Sequence, residues 1–391
     1  MGKAMKKGWE VKTLAHIAEN LDNKRVPVTK NVRNAGRYPY YGASGIVDYV
    51  SDYLFDDDLL LVSEDGANLL ARTYPIAFSI SGKSWVNNHA HILRFKDNVS
   101  QRFVEYYLNS IILDDYVSGM AQPKLNQKML NLIPIPYPPL PEQHRIVAIL
   151  DEAFAAIAKA KENAEKNLAN AREVFESYLQ SVIANRDDGW EEYTMEELCQ
   201  LITCGVAATP KYVDESEGVP FLSAQNVRDG EVVLDKYRCI SKQFHQELTK
   251  KNKPAKGDVL YSRVGSKFGE AGVVEHEFEF SVYVSLTLIK PKSERLNSYY
   301  LKHYLNSPAI KSLAKKSISS SGVPNLNVKD VREFPIICPS ISIQHKIVRH
   351  IDILSAETKK LEAIYQQKLE DLDDLKKTIL EKAFAGELNT N

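Results

Sequence analysis

The sequence has no apolar run approaching the 18 residues that a membrane span needs, so no membrane partner is expected. Its first ten residues, MGKAMKKGWE, contain no apolar stretch of the kind a secretory signal carries. Lys6 stands where myristoylation wants Ser or Thr. Cysteine is scarce: Cys199, Cys204, Cys239 and Cys338 are the four, and none form a C-x-x-C pair. A zinc knuckle and a redox pair are therefore not signalled, and free thiols in a cytoplasmic protein are expected. Phosphate-loop chemistry is missing too. The stretch SISGKS, residues 79–84, ends like a P-loop, but Ala77 occupies the first glycine position. There is no G-x-G-x-x-G, and no Asn-Pro-Pro-aromatic element of the kind amino-methyltransferases use. His89 and His91 share one face of a strand without a third ligand, so core or hydrogen-bonded histidines are the expectation. Glu64 and Asp65 form a lone acidic pair without nuclease context. No metal, cofactor or catalytic constellation is expected in this chain.

What is present is repetition. PLPEQHRIVAILD, residues 139–151, returns as PSISIQHKIVRHID, residues 339–352, with Gln143 echoed by Gln344 and Arg145 by Lys346. In the same order, GWE at residues 8–10 returns at 189–191, YYLNS at 106–110 as HYLNS at 303–307, and QPKLN at 122–126 as VPNLN at 323–327. Ser63 in LLLVSEDG matches Ser262 in VLYSRVG, and IPI at 133–135 matches FPI at 334–336. Ordered matches of this kind mark a tandem duplication. The second copy is longer, mostly in its early part, which reads as extra surface loop.

Each copy has a mixed part and a helical part. DLLLVS, HAHILRF and SVYVSLTLI read as strands, and QRFVEYYLNS and NSYYLKHYLNS as short helices. The helical parts lack internal Pro and Gly and carry a seven-residue apolar stripe. The first stripe is Leu150, Ile157, Ala164, Ala171 and Tyr178, joined by Phe154, Leu168, Phe175 and Val182. The second is Ile351, Thr358, Tyr365, Leu372 and Ile379, joined by Ile347, Leu354, Leu361 and Leu375. The expected fold class is α+β: two mixed α/β domains separated by a long antiparallel two-helix coiled coil, in a pseudo-two-fold tandem repeat. The expected boundaries are residues 1–141, 142–185, 186–341 and 342–391.

Net charge is −1, and no segment is strongly basic. Residues 24–37 and 66–96 are nevertheless free of acids, and residues 236–267 and 290–332 each carry a local +7. Basic clusters mixed with Tyr, Asn, Gln and Ser suit phosphate contacts and base-edge hydrogen bonds.

The strings YPYYGASGIVDYV (38–50), NNHAHILRF (87–95), QPKLNQKMLNLIPIPYPPLPEQHRIVAIL (122–150) and LKKTILEKAFAGEL (375–388) resemble the specificity subunits of type I restriction-modification enzymes, through both mixed parts and both helices. The resemblance implies a non-catalytic subunit whose two target-recognition domains each read half of a bipartite double-stranded DNA sequence around an unread spacer. It implies that the helices bind two methyltransferase subunits, and that motor-nuclease subunits complete the complex. S-adenosylmethionine, ATP and Mg would then belong to those partners. Candidate base readers are Arg33, Tyr41, Ser44, Arg72, Lys83, Asn87, Gln122 and Lys124 in the first copy. In the second they are Gln225, Asn226, Arg228, Arg263, Lys267 and Asn325. Gln143, Arg145, Gln344 and Lys346, at the repeated helix entrance, are the candidate partner-binding residues. The competing readings are a DNA-acting nuclease with an unrecognised site in one mixed domain, and a coiled-coil scaffold that does not bind DNA.

Overall fold

A computed structural model describes residues 6–119, 121–184, 189–207, 210–265, 268–318 and 325–388. The chain forms two compact units: residues 1–165 with 367–391, and residues 166–366.

The first unit opens with strand β1 (Glu10–Thr13), the short helix α1 (Leu14–Ile17) and strand β2 (Glu19–Asn20). Strands β3 (Ala35–Gly42) and β4 (Gly45–Val50) make a hairpin closed by Ala43 and Ser44, with Gly45 at φ 124°. Strands β5 (Phe55–Asp56) and β6 (Leu59–Ser63), helix α2 (Asn68–Ala71), and strands β7 (Ala77–Ile80), β8 (Lys83–Val86) and β9 (Ala90–Arg94) follow. Helix α3 (Asn98–Ser110), helix α4 (Gln127–Leu132) and strand β10 (Pro134–Tyr137) lead into the long helix α5 (Leu140–Ala184). Two four-stranded sheets result, in the orders β2-β9-β6-β7 and β4-β3-β8-β5, and β1 pairs with β10. The run of fully buried residues Leu59 to Val62 in β6 explains its central place: both faces are covered.

The second unit repeats this frame. Strand β11 (Glu191–Thr194) is followed by helix α6 (Met195–Leu198), which starts with a capping box in which Thr194 and Glu197 satisfy each other's backbone N–H groups. Strands β12 (Cys199–Cys204), β13 (Tyr212–Val213) and β14 (Gly218–Leu222) come next, then β15 (Val227–Arg228), β16 (Glu231–Val232) and β17 (Arg238–Ser241). Helix α7 (Lys242–Thr249) precedes strands β18 (Val259–Ser262), β19 (Ala271–Val273), β20 (Ser281–Val282) and β21 (Leu286–Pro291). Helices α8 (Ser298–Leu305), α9 (Pro308–Lys316) and α10 (Val328–Arg332) and strand β22 (Pro335–Cys338) lead into the second long helix, α11 (Ile341–Phe384). The order β12-β21-β18-β19 matches β2-β9-β6-β7, and β11-β22 matches β1-β10. The early extra length of this copy is not plain loop. The β15-β16 hairpin fills the chain between β14 and β17, where the first unit has a two-residue turn, and it extends the sheet to six strands. SVYVSLTLI is two strands rather than one, broken at Tyr283–Ser285.

The repeated words of the sequence are internal locks. Asn109 takes the N–H groups of Ile76 and Ala77 and donates to Ala77 O at 2.7 Å; Asn306 does the same to both backbone groups of Ala271 at 2.9 Å. Gln143 donates to Pro138 O and Gln344 to Pro339 O, each at 2.8 Å, closing the entrance of each long helix. The helices begin at Leu140 and Ile341, so the registers agree although Ser340 and Ser342 stand where Pro139 and Pro141 do.

Within each unit, segments of the two long helices run antiparallel. In the first, Arg145 reaches Leu388 O and Lys161 pairs with Asp373; in the second, Arg172 pairs with Glu362 at 2.5 Å. The seam residues Leu150, Ile157, Ala164, Ile351 and Thr358 are buried, and Ala171, Tyr178, Tyr365, Leu372 and Ile379 are half-buried. Leu361 and Leu375 were expected in the seam but are 43% and 46% exposed. The side chain of Val182 falls outside the described residues.

Candidate nucleic-acid interface

In the first unit, four connections meet where β6 ends. Ser63 donates its hydroxyl to Ala43 O at 2.6 Å, which ties down the β3-β4 turn and its exposed Ser44. Glu64 N binds His89 O, and Leu125 N binds Glu64 O, bringing in the β8-β9 turn and the QPKLN loop. Gly66 N binds Pro123 O, and Asp65 bridges to Lys124. Inside this crossing, Arg25 donates to Glu64 at 2.6 Å and to Ala90 O at 3.0 Å, while the His91 ring faces Asp22 and Leu125 O. Burial works against the charged form of Glu64, but the Arg25 hydrogen bond and the nearby His91 and Lys124 outweigh it and hold its carboxyl below the ordinary glutamate range. Gln122 and Lys124 are left exposed around this centre.

The second unit builds the same crossing with different side chains. Arg263 N binds Ser285 O and Leu326 N binds Arg263 O, so Arg263 stands where Glu64 stands. Its guanidinium donates to Leu326 O at 2.7 Å, Val284 O at 3.1 Å and the Asn325 side chain at 2.9 Å. In the first unit His91 serves Leu125 O and Arg25 serves Asn88 O, the matching carbonyls. One arginine in the second copy thus does the work of an arginine and a histidine in the first.

Arg263 is 7% exposed and its guanidinium holds backbone together, which makes its position part of the frame. Asn87, also 7% exposed, accepts His89 N. Asn226 is fully buried and ties Ser223 N to Val233 O and Lys236 O, which fixes the β15-β16 hairpin. Arg72 adopts φ 53° after α2 and donates to Leu108 O and Ile111 O at the end of α3. Arg33 lies over the Tyr40 ring at 4.2 Å, bonded to Val28 O and Asp48. Tyr41 is half-buried, its ring 6.1 Å from that of Phe78, and burial raises its phenol above the ordinary range. Arg228 pairs with Asp235 at 2.7 Å. Lys267 lies outside the described residues.

Ser44, Lys83, Gln122 and Lys124 remain exposed in the first unit, and Gln225 and Asn325 in the second. Lys83 sits 4.6 Å over the Tyr53 ring, beside Tyr38, which Arg37 covers at 5.1 Å. Sequence reasoning missed Arg37 and the exposed pair of His89 and Asp65, 2.8 Å apart. The pairing of residues 65 and 89 across two loops leaves no trace in sequence spacing.

The candidate partner residues divide similarly. Gln143 is 1% and Gln344 0% exposed, and each amide donates to a carbonyl five residues back at the entrance of its helix. Arg145 holds Glu142, which also pairs with Lys6, and the Arg145 hydrogen bond draws the Glu142 carboxyl down to about 2. Lys346 is exposed.

Among the described residues no group of three or more His, Cys, Asp or Glu side chains could hold a metal ion, and no helix is long and apolar enough to cross a membrane. The arrangement is that of a recognition module, in which a rigid frame presents polar side chains on loops.

The sequence model described as the type I restriction modification DNA specificity domain matches residues 6–166 and again residues 187–371. The chain belongs to this family and is a type I restriction-modification specificity subunit, a non-catalytic component. It is 28% identical over 366 residues to a putative type I restriction enzyme specificity subunit of Haemophilus influenzae, covering 90% of this chain and 89% of that one. It is 25% identical to the EcoBI specificity subunit of Escherichia coli, covering 75% and 67% respectively. Its fold is similar to that of the HsdS subunit from Thermoanaerobacter tengcongensis, with TM-score 0.60, 18% identity and 99% of each chain covered. A chain solved in work on complex assembly and conformational transition of the type I restriction-modification system gives TM-score 0.77 at 19% identity, covering 99% of this chain and 100% of that one. Nothing in the comparisons supports the nuclease alternative.

Proposed function

We propose that each mixed domain reads one half of a bipartite DNA target, and that α5 and α11 dock two methyltransferase subunits and set the unread spacer. The observation that carries this reading is a shared frame with unlike surfaces. Both copies keep the Asn109/Asn306 and Gln143/Gln344 locks, while Lys124 on the first crossing is matched by Asn325 on the second. Exposed cations over aromatic rings, Lys83 and Arg37, suit phosphate contacts that position the domain without reading sequence. Off the seam, α11 exposes Ile353 and Ile364, 60% and 52%, which is apolar surface of the kind a partner subunit covers. S-adenosylmethionine, ATP and Mg act on the partners in this reading. With a net charge of −1 the chain alone binds DNA weakly at physiological salt, and partner subunits raise its affinity.

The test is to replace residues 186–340 with the counterpart from another specificity subunit and map methylated sites in a host that supplies the methyltransferase. One half-site changes and the other stays. Change in both half-sites would overturn the modular reading.

A further inference from the structure

We propose that His89 is a specificity-determining residue of the first recognition domain, with Asp65 as its positioning residue. The inference rests on the reading that this domain contacts DNA, and it names the side chain that meets a base edge.

His89 is held through both of its backbone groups and through one ring nitrogen. Its backbone N–H donates to Asn87 Oδ1 at 2.8 Å, and its carbonyl accepts Glu64 N at 2.9 Å. Its Nδ1 lies 2.9 and 2.8 Å from the two oxygens of Asp65. The backbone of Asp65 is fixed in turn by a β-bridge to Lys124, made by the bonds from Gly66 N to Pro123 O and from Leu125 N to Glu64 O. The ring is nevertheless half exposed, at 50%, and Nε2 has no partner among the described residues. A surface imidazole whose orientation is fixed this firmly, with one nitrogen free, is preorganised to contact something outside the protein.

Chemistry narrows what that contact is. A carboxylate facing Nδ1 places the proton there, so in the neutral ring Nε2 accepts a hydrogen bond. Its complement on a major-groove base edge is an exocyclic amine, N6 of adenine or N4 of cytosine. Ser44, Gln122 and Lys124 are exposed on the connections that meet at the same crossing. In the second unit the matching backbone position, defined by the bond from Arg263 N, is Ser285. Its hydroxyl faces inward and accepts Ala224 N at 2.9 Å. The frame position is shared and its side chain is not, as expected where two half-sites differ.

The experiment uses the full chain with its methyltransferase partner and maps methylated sites for His89→Ala and Asp65→Asn, with the melting temperature of each variant measured alongside. His89→Ala relaxes one base pair of one half-site, lowering preference there on the order of tenfold or more, and leaves the other half-site and the melting temperature unchanged. Asp65→Asn removes the carboxylate that holds the proton on Nδ1, because an amide can present either its oxygen or its NH2 to that nitrogen. Base preference at that same position then weakens while folding persists. An unchanged motif with uniformly weaker methylation would make His89 a phosphate contact and overturn the proposal. So would relaxation spread over both half-sites. Exchange of residues 1–140 as a block serves as the control. If the block changes one half-site and His89→Ala changes none, this inference alone fails; if the block also changes none, the reading beneath it fails.

Discussion

Replacing Arg263 with Met separates a frame residue from a reader. The guanidinium is 7% exposed and makes three hydrogen bonds of 2.7–3.1 Å, two of them to backbone carbonyls. Hydrogen bonds from a charged donor contribute about 1.5–3 kcal/mol each, so the gross loss is roughly 4–9 kcal/mol. Two effects oppose it. The variant no longer buries a cation, which relieves a desolvation penalty of several kcal/mol, and Val284 O, on a half-exposed residue, can turn to water. The net destabilisation is therefore about 2–4 kcal/mol. For a unit of this size each kcal/mol moves the midpoint by about 2–4 °C, so the second unit melts roughly 5–15 °C lower. Calorimetry of the full chain reads the shift, and methylation mapping at a permissive temperature reads the motif. The motif stays as it is. A motif altered at one position with no change in melting would show that Arg263 faces DNA and refute the assignment.

Two further outcomes follow from buried charge and helix length. Burial, with the Lys302 ammonium beside it, pushes the His303 imidazole down to about 4, while its Nε2 stays 3.1 Å from Asp352. Below pH 6.5 the unfolded chain takes up a proton that the folded chain refuses. Stability is thus lost as pH falls from about 6.5 to 4, by about 1–3 kcal/mol, and His303→Gln flattens that slope in denaturant titrations; an unchanged slope would contradict the assignment. Adding seven residues to both α5 and α11 preserves the apolar seam and lengthens each helix by about 10 Å, roughly three base pairs at 3.4 Å per step. Methylated sites of that variant should keep both half-sites and gain spacer, with weaker affinity because the far half-site also rotates by about 100°; an active variant with its spacer unchanged would show that the helices do not set it.

Much of the architecture was legible because it is written twice. The strand at Leu59–Ser63 and both long helices follow from apolar patterning alone, and the strand at Val259–Ser262 from its match to the first copy. The register of the apolar stripes followed from the 201-residue offset, whereas the start of the second helix, where PPLPEQ gives way to PSISIQ, is fixed at Ile341 only by the structure. The function of the repeated polar residues was not legible. Gln143 and Gln344 looked like a docking surface because a repeated polar residue on a helix reads as exposed. Their amides instead serve carbonyls five residues back, a local bond that no hydropathy pattern reveals.

The crossing at Glu64 and Arg263 shows why base readers are hard to find by composition. Arg, Asn and Gln bind base edges and buried carbonyls with the same donors, so residue type cannot separate the two uses. Only geometry does. Arg263 fills the role that Arg25 and His91 share in the first unit, and each of the three points inward. Between them they satisfy the carbonyls of Leu125, Asn88 and Ala90 in one copy, and of Leu326 and Val284 in the other. A buried carbonyl left unpaired costs about 1–3 kcal/mol, so each copy must supply a donor there, but which residue supplies it is open. His89 and Asn325 lie on the outer side of the same crossings. There the side chains are exposed, although the Asn325 amide oxygen also accepts from the Arg263 guanidinium at 2.9 Å. Arginine and asparagine on the inner side answer to folding, and the outer side is where the proposed DNA contacts fall.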